Sequence, residues 1–343
     1  MDKQTVERAL LATGKLPHEM LRTLLRAYGR EDEQVLVGPR VGEDATAVQL
    51  REDVVVAGMD PITFATEEIG WYVVHVNAND VAVMGAAPRW FLVTFLLPEG
   101  ETTAADVERM FAQVAHACQE VGAVLVGGHT EVSYGLPRPL AIGVMLGEVS
   151  SQRLVRTGGA RPGDVVILAR GVPIEGTAII ARERREDLLA RGVSDALIRR
   201  AADFLHDPGI SVVKAARLAV EVAPVHAMHD PTEGGLITGL WELAEASGVG
   251  LWVDLDAVPV LEEGRVLCDL FGLDPLATIA SGALLIAVAQ EHGERLVAAL
   301  EDAGIPARVI GRVTSREEGR IALRHGKEWP LQPQAVDEIV KIF

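Results

Sequence analysis

Between residues 67 and 84 the sequence spells a helix that a globular chain has to bury, and it carries polar groups in its middle. Ile69, Tyr72, Val73, Val76 and Val83 recur at helical spacing. Asn77, Asn79 and Asp80 interrupt that apolar run. Asn77 and Asp80 are three apart and so share a face. Asn and Asp are poor helix formers, and burying such groups unpaired costs roughly 2–7 kcal/mol each. A ligand or metal ion would supply the missing partner; the plain alternative is that these groups face water or a neighbouring loop.

Around this helix the sequence alternates short strands and helices. Strands are expected at 34–37, 46–50, 54–59, 90–97, 123–126 and 140–149. Thr103, with Asp106 three residues on, is set to cap a helix that runs to Val121 and stops at Gly122. The stretch before residue 34 reads as a helical or partly irregular lead-in. Near 148–161 the chain turns polar and glycine-rich, as a connection between domains should. Beyond it, strands are expected at 165–169, 251–254, 283–289 and 307–313. Helices are expected at 176–191, 194–205, 208–222, 231–247 and 291–303. The reading is α+β in two domains, 1–152 and 153–343. A length of 343 residues fits that number.

Composition removes several function classes. A formal charge of −17 argues against nucleic acid or an anionic membrane as the main partner, since both require a basic surface. It leaves room for an anionic nucleotide if metal ions stand between phosphate and carboxylate. The two cysteines, Cys118 and Cys268, form no CxxC motif, so a reducing, cytoplasmic compartment is expected. The N-terminal residues lack a signal-peptide core, and the longest apolar runs are too short to span a bilayer.

Four further segments place polar groups at element ends. Gly42-Glu43-Asp44 puts two carboxylates after a glycine and before a strand, and an ordinary turn is the competing reading. Asp60 closes a strand, where an acid can point into a cleft. Gly127-Gly128-His129-Thr130-Glu131 is expected as a loop in which paired glycines admit a ligand close to the backbone. His129, Thr130 and Glu131 would then offer proton-transfer or metal-binding groups, although a loop histidine is often incidental. His229-Asp230-Pro231-Thr232-Glu233-Gly234-Gly235 reads as a helix start with Pro231 at the first helical position and free N–H groups suited to phosphate. His206-Asp207-Pro208-Gly209 opens in the same way, so the motif can also be a bare cap. There is no Walker A loop, no GxGxxG after a strand, no HExxH and no GxSxG.

Taken together the segments resemble the AIR synthase superfamily, the PurM-like proteins. VGEDATAV (41–48), VVAGMDPIT (55–63), GGHTEV (127–132), RTGGARPGDVVILARG (156–171), IEGTAIIA (174–181), HDPTEGGL (229–236) and ASGALLIA (280–287) follow its order. NANDVAVMGAAPRW (77–90) is the most specific match. HDPTEGGL and ASGALLIA, and GKLP at 14–17, are similar to the HypE-like branch rather than to the thiamine-monophosphate kinases. The resemblance implies an N-terminal domain that forms a dimeric β-barrel and a C-terminal α/β sandwich. It implies ATP and Mg²⁺, a small-molecule substrate phosphorylated on oxygen, a homodimer, and a maturation-protein partner. By position it implies metal ligands at Glu43, Asp44, Asp60 and Asp80. Nucleotide contacts would fall at Gly42, Asn77, Gly127, Gly128, Thr130, Asp230, Thr232, Gly234 and Gly235, and catalytic roles at His129, Glu131 and Asp80. Two departures stand out. No cysteine follows Cys268, so the Pro-Arg-Ile-Cys tail that carries HypE chemistry is not matched. His129 stands where the branch has Asp, leaving Glu131 as the nearby acid. Two alternatives stay open: a nucleotide-binding assembly protein without turnover, and a kinase of the thiamine-monophosphate type.

Overall fold

A computed structural model describes residues 18–28, 33–38, 40–51 and 53–343. The GKLP motif lies outside the described residues, and the lead-in is described from a helix, His18–Tyr28. Two seven-stranded sheets follow. The first contains β1 (Val35–Val37), β2 (Thr46–Leu50), β3 (Asp53–Gly58), β4 (Pro61–Ile62), β5 (Ala87–Pro98), β6 (Val124–Ser133) and β7 (Leu140–Ser150). Its order is β1-β2-β3-β7-β5-β6, with β4 beside β7. All pairs are antiparallel except β5 and β6, which the helix Ala104–Val121 connects as a parallel pair.

The second sheet contains β8 (Asp164–Ala169), β9 (Val225–His229), β10 (Gly250–Asp254), β11 (Leu284–Ala289), β12 (Ala307–Thr314), β13 (Arg320–Arg324) and β14 (Lys327–Pro330). Its order is β14-β13-β10-β12-β8-β11-β9. Both halves therefore mix helix and sheet. Among the described residues, no helix is long and apolar enough to cross a membrane.

The helix Ile69–Val83 is buried along its whole length, not on one face. It packs on the first sheet and also on the helix Val213–Val222 of the second half, where Ala82 and Val83 meet Ala215, Ala216 and Ala219. Each fully buried Val contributes about 1.5–3 kcal/mol. Glycines set how closely the helix approaches the sheet. A Cβ on Gly143 would lie 2.5 Å from Asn77 Nδ2, and one on Gly147 would overlap Val81 Cγ1. The polar groups do find partners, and those of the two asparagines are protein backbone. Asn79 donates to Ile210 O (2.9 Å) and accepts from Val212 N (2.8 Å), which pins the two halves together.

The Thr103–Asp106 capping box and the Gly122 stop form as the sequence predicts. Several boundaries differ. The 176–191 helix breaks at Arg184 into Ile174–Glu183 and Arg185–Ala190. The 208–222 helix starts only at Val213; before it Asp207 leaves helical geometry, with φ −135° and ψ 109°. The sequence reading missed β4, β9, β13, β14 and the helix Glu262–Phe271. β9, Val-His-Ala-Met-His, is short and interrupted by histidines, so its periodicity is weak.

Candidate active site

β2 and β3 form a hairpin, and the turns at its mouth present the first acids. Asp44 lies just before β2, where it accepts from Thr157 Oγ1 at 2.9 Å and pairs with His229 Nδ1 at 2.7 Å. His229 ends β9, and its Nε2 lies 3.1 Å from Glu242 Oε2 on the helix Gly235–Ser247. Burial opposes a charged imidazole there, but Asp44 and Glu242 outweigh it and hold the His229 pKa at about 10. The residue is therefore an imidazolium clamped between two carboxylates at neutral pH.

Asp230 follows directly. Only 2% of it is exposed, and neither carboxylate oxygen has a hydrogen-bond partner. Burial drives its pKa well up, and the charges of Asp44 and Asp60 drive it further. Atoms of Asp44, His229 and Asp230 lie within 4.8 Å of one another, but with both ring nitrogens of His229 taken by carboxylates, the donors open to a cation are the oxygens of Asp44 and Asp230. A buried carboxylate without a donor, beside two more acids, is what a divalent cation would relieve, and the oxygen-rich donor set suits Mg²⁺. Glu43 stands at the margin. Burial, then the Asp44 charge, raises its pKa to about 7, and its Oε2 has no partner.

Asp60 is placed by Asn77. The Asn77 side chain accepts from Asp60 N (2.8 Å) and donates to Asp60 O (3.2 Å) and Val73 O (2.8 Å). Its amide is thus committed to the protein. It shapes the Asp60 turn, and the missing partner inferred from sequence is backbone, not a ligand. Asp80 is 5% exposed and lies against the end of β3, where a Cβ on Gly58 would sit 2.9 Å from its Oδ2. Gly42 (φ 89°) brings its turn against the second half; a Cβ there would meet Glu242 O at 2.8 Å.

The HDPTEGG segment differs from its expected form. The helix starts at Gly235, four residues after Pro231. Its N–H groups are not open for phosphate at the glycines: Gly234 N donates to Asp337 Oδ2 (2.6 Å) and Gly235 N to Thr232 O (3.0 Å). Gly235 (φ 64°) exists for packing, since a Cβ would lie 2.6 Å from Leu276 O. Thr232 lines a neighbouring cavity.

Gly127, Gly128, His129, Thr130 and Glu131 form no loop. They lie within β6, the last strand of the first sheet, where Gly128 lets β6 close on β5 because a Cβ would overlap Val93 O. His129 and Glu131 share one face of the strand with Nε2–Oε2 at 3.1 Å, and Ser133 donates to Glu131 at 2.7 Å. Their side chains are 64% and 52% exposed. Within one chain they are not joined to the buried acid cluster. The residues missed by sequence reasoning are His229 as an ion-pair centre, Glu242 and Thr157. Glu242 had a signal: an acid within the apolar run Leu236–Leu240–Leu243 of a buried helix.

Comparison with known proteins finds matches across both halves of the chain. The model of the AIR synthase related protein, N-terminal domain, matches residues 34–149, and that of the C-terminal domain matches 161–324. Carbamoyl dehydratase HypE of Cupriavidus necator is 36% identical over 269 residues, which is 76% of this chain and 72% of that protein. The HypE of Rhodobacter capsulatus is 29% identical over 93% of this chain and 92% of its own. The crystal structure of a hydrogenase maturation protein HypE in complex with ATP superposes with a TM-score of 0.71 at 27% identity, covering 98% of this chain and all of that one (100%).

Proposed function

The chain belongs to the AIR synthase related family, on its HypE-like branch, and from that premise we propose that it is a Mg²⁺-dependent enzyme that uses ATP to phosphorylate an oxygen of a small molecule. The observation that carries this reading is Asp230: a buried carboxylate without a donor, facing Asp44 and Asp60 across the junction of the two halves. Asp44, Asp60 and Asp230 would hold the cation, with Glu43 and Asp80 at its margins. A bound Mg²⁺ would neutralise charge on the triphosphate. The protein's own part is to fix the acids: Asn77 sets the Asp60 turn, and His229 holds Asp44 in place. Both cysteines are buried, and burial lifts their thiols to about 11 (Cys118) and about 12 (Cys268), so neither is a nucleophile.

The domain division proposed is 1–152 and 153–343. A homodimer completes the proposal. β6 is a sheet edge with Val124, Val126 and Val132 exposed at 61%, 52% and 60%, and an apolar edge of that kind invites a second copy. Pairing there would form the intersubunit barrel and cover His129, Thr130 and Glu131.

Calorimetry tests the reading directly. The purified chain should bind ATP only with Mg²⁺, and Asp44→Asn and Asp230→Asn should each weaken binding by at least about 10-fold, the loss of one charge-assisted contact. No Mg²⁺-dependent ATP binding by the wild-type dimer would exclude it. A second reading, a nucleotide-binding assembly protein without turnover, is favoured by His129 and Glu131, which stand exposed on the edge strand β6 and not among the buried acids. That assembly-protein reading expects ATP binding with no product in any acceptor assay.

A further inference from the structure

Glu175 is a second acid buried without a full set of partners, and it lies outside the carboxylate cluster. It sits in the first turn of the helix Ile174–Glu183, 4% exposed, and its Oε2 makes no hydrogen bond. It lines a cavity of about 380 Å³ together with Asp60, Phe64, Arg138, Glu233 and Ser281. At roughly 30 Å³ per water, that is room for a small metabolite. Ser281, 1% exposed, lies beside Glu175: its hydroxyl and backbone N–H turn towards that carboxyl and favour its charged form, although the Oγ does not reach full hydrogen-bond geometry and Oε2 is left without a partner.

The placement is built in. Gly176 N donates to Ile279 O at 3.0 Å, and a Cβ on Gly176 would lie 2.5 Å from Thr278 Cγ2. The 278–281 loop is thereby seated on the start of the helix, which brings Ser281 over Glu175. Charge then selects the occupant. Leaving aside Asp60, which the proposed cation would neutralise, two carboxylates, Glu175 and Glu233, line the cavity against one guanidinium, Arg138. Burial, then the nearby Asp337 and Glu233 charges, lifts the Glu175 pKa to about 7. An anion would add to this repulsion, and a neutral hydroxyl would leave the carboxylate charge uncompensated. An ammonium group supplies both the charge and several N–H donors.

We infer that this cavity binds the small-molecule substrate by a protonated amine, held between the Glu175 carboxylate and the Ser281 hydroxyl. The inference rests on the ATP-dependent reading only for the word substrate; the amine preference stands on the cavity itself.

Ligand-observed saturation-transfer NMR on the full chain tests it, with ethanolamine, ethylene glycol and glycolate as size-matched probes. Ethanolamine is expected to bind and the other two not. The near-isosteric Glu175→Gln should weaken ethanolamine binding at least about 10-fold, and Ser281→Ala by a smaller factor in the same direction. No ethanolamine signal, an equal signal from glycolate or ethylene glycol, or an unchanged affinity in Glu175→Gln would overturn the inference. Calorimetry with Mg²⁺ and a non-hydrolysable ATP analogue on the same samples separates the two ideas. Nucleotide binding without amine binding removes the amine pocket alone. Amine binding without nucleotide binding removes the ATP reading and leaves the pocket.

Discussion

At the scale of single residues, Asp230 and His229 are neighbours with opposite electrostatics. The Asp230 pKa is raised on folding, so the group costs nothing below its ordinary value of 3.8 and destabilises the cation-free protein increasingly as pH rises above it. Asp230→Asn is therefore expected to raise the stability of the metal-free protein at pH 7.5, by about 1–3 kcal/mol, because it removes a carboxylate charge that burial and Asp44 oppose. The gain should fade towards pH 4, and Mg²⁺ should raise the Tm of wild type but not of the variant. Thermal melts with and without chelator measure both. For His229 the sign is reversed. Its pKa rises from 6.5 to about 10, so its contribution is complete below pH 6.5 and is lost as pH rises towards 10. His229→Gln leaves Asp44 and Glu242 facing an uncharged amide, and should cost about 3–5 kcal/mol at pH 6, as when a buried ion pair is broken. Urea denaturation of both proteins across that range would show the difference shrinking; a constant difference counts against a charged His229.

At the scale of elements, close packing and site geometry are the same fact. Gly143→Ala on β7 would press a methyl against Asn77 Nδ2 and Phe91 Cε2, at 2.5 and 2.9 Å. Overpacking of this kind costs about 1–3 kcal/mol. It also displaces the amide that sets the Asp60 turn, so Mg²⁺–ATP affinity should fall together with the denaturation midpoint. A variant that loses stability with affinity intact would show that Asn77 does not position Asp60. The same elements mark what the sequence made legible. The helix Ile69–Val83 was readable from its apolar run, and the Thr103–Asp106 cap from its spacing, because both signals are local. Asn77 and Asn79 announced buried polarity, but apart from Val73 O, one turn back from Asn77, their partners lie 17 and more than 130 residues away, and no local pattern names those. The GGHTE run read as a loop because paired glycines usually break strands. Here Gly128 instead permits β6 to lie against Val93.

At the scale of the whole molecule, Asn79 joins the halves. Asn79→Ala would leave Ile210 O and Val212 N buried without partners, a loss of about 1–3 kcal/mol for each. Calorimetric unfolding, expected as one transition in wild type, should separate into two. The site divides along the same seam: Asp44 and Asp60 come from the first half, the His229 imidazolium and Asp230 from the second. Cut between the sheets, neither fragment would inherit the centre. A divalent ion, if the proposed one is seated there, would thus be a rivet as well as a reagent, and starving the protein of it should let its two parts drift apart before either one melts.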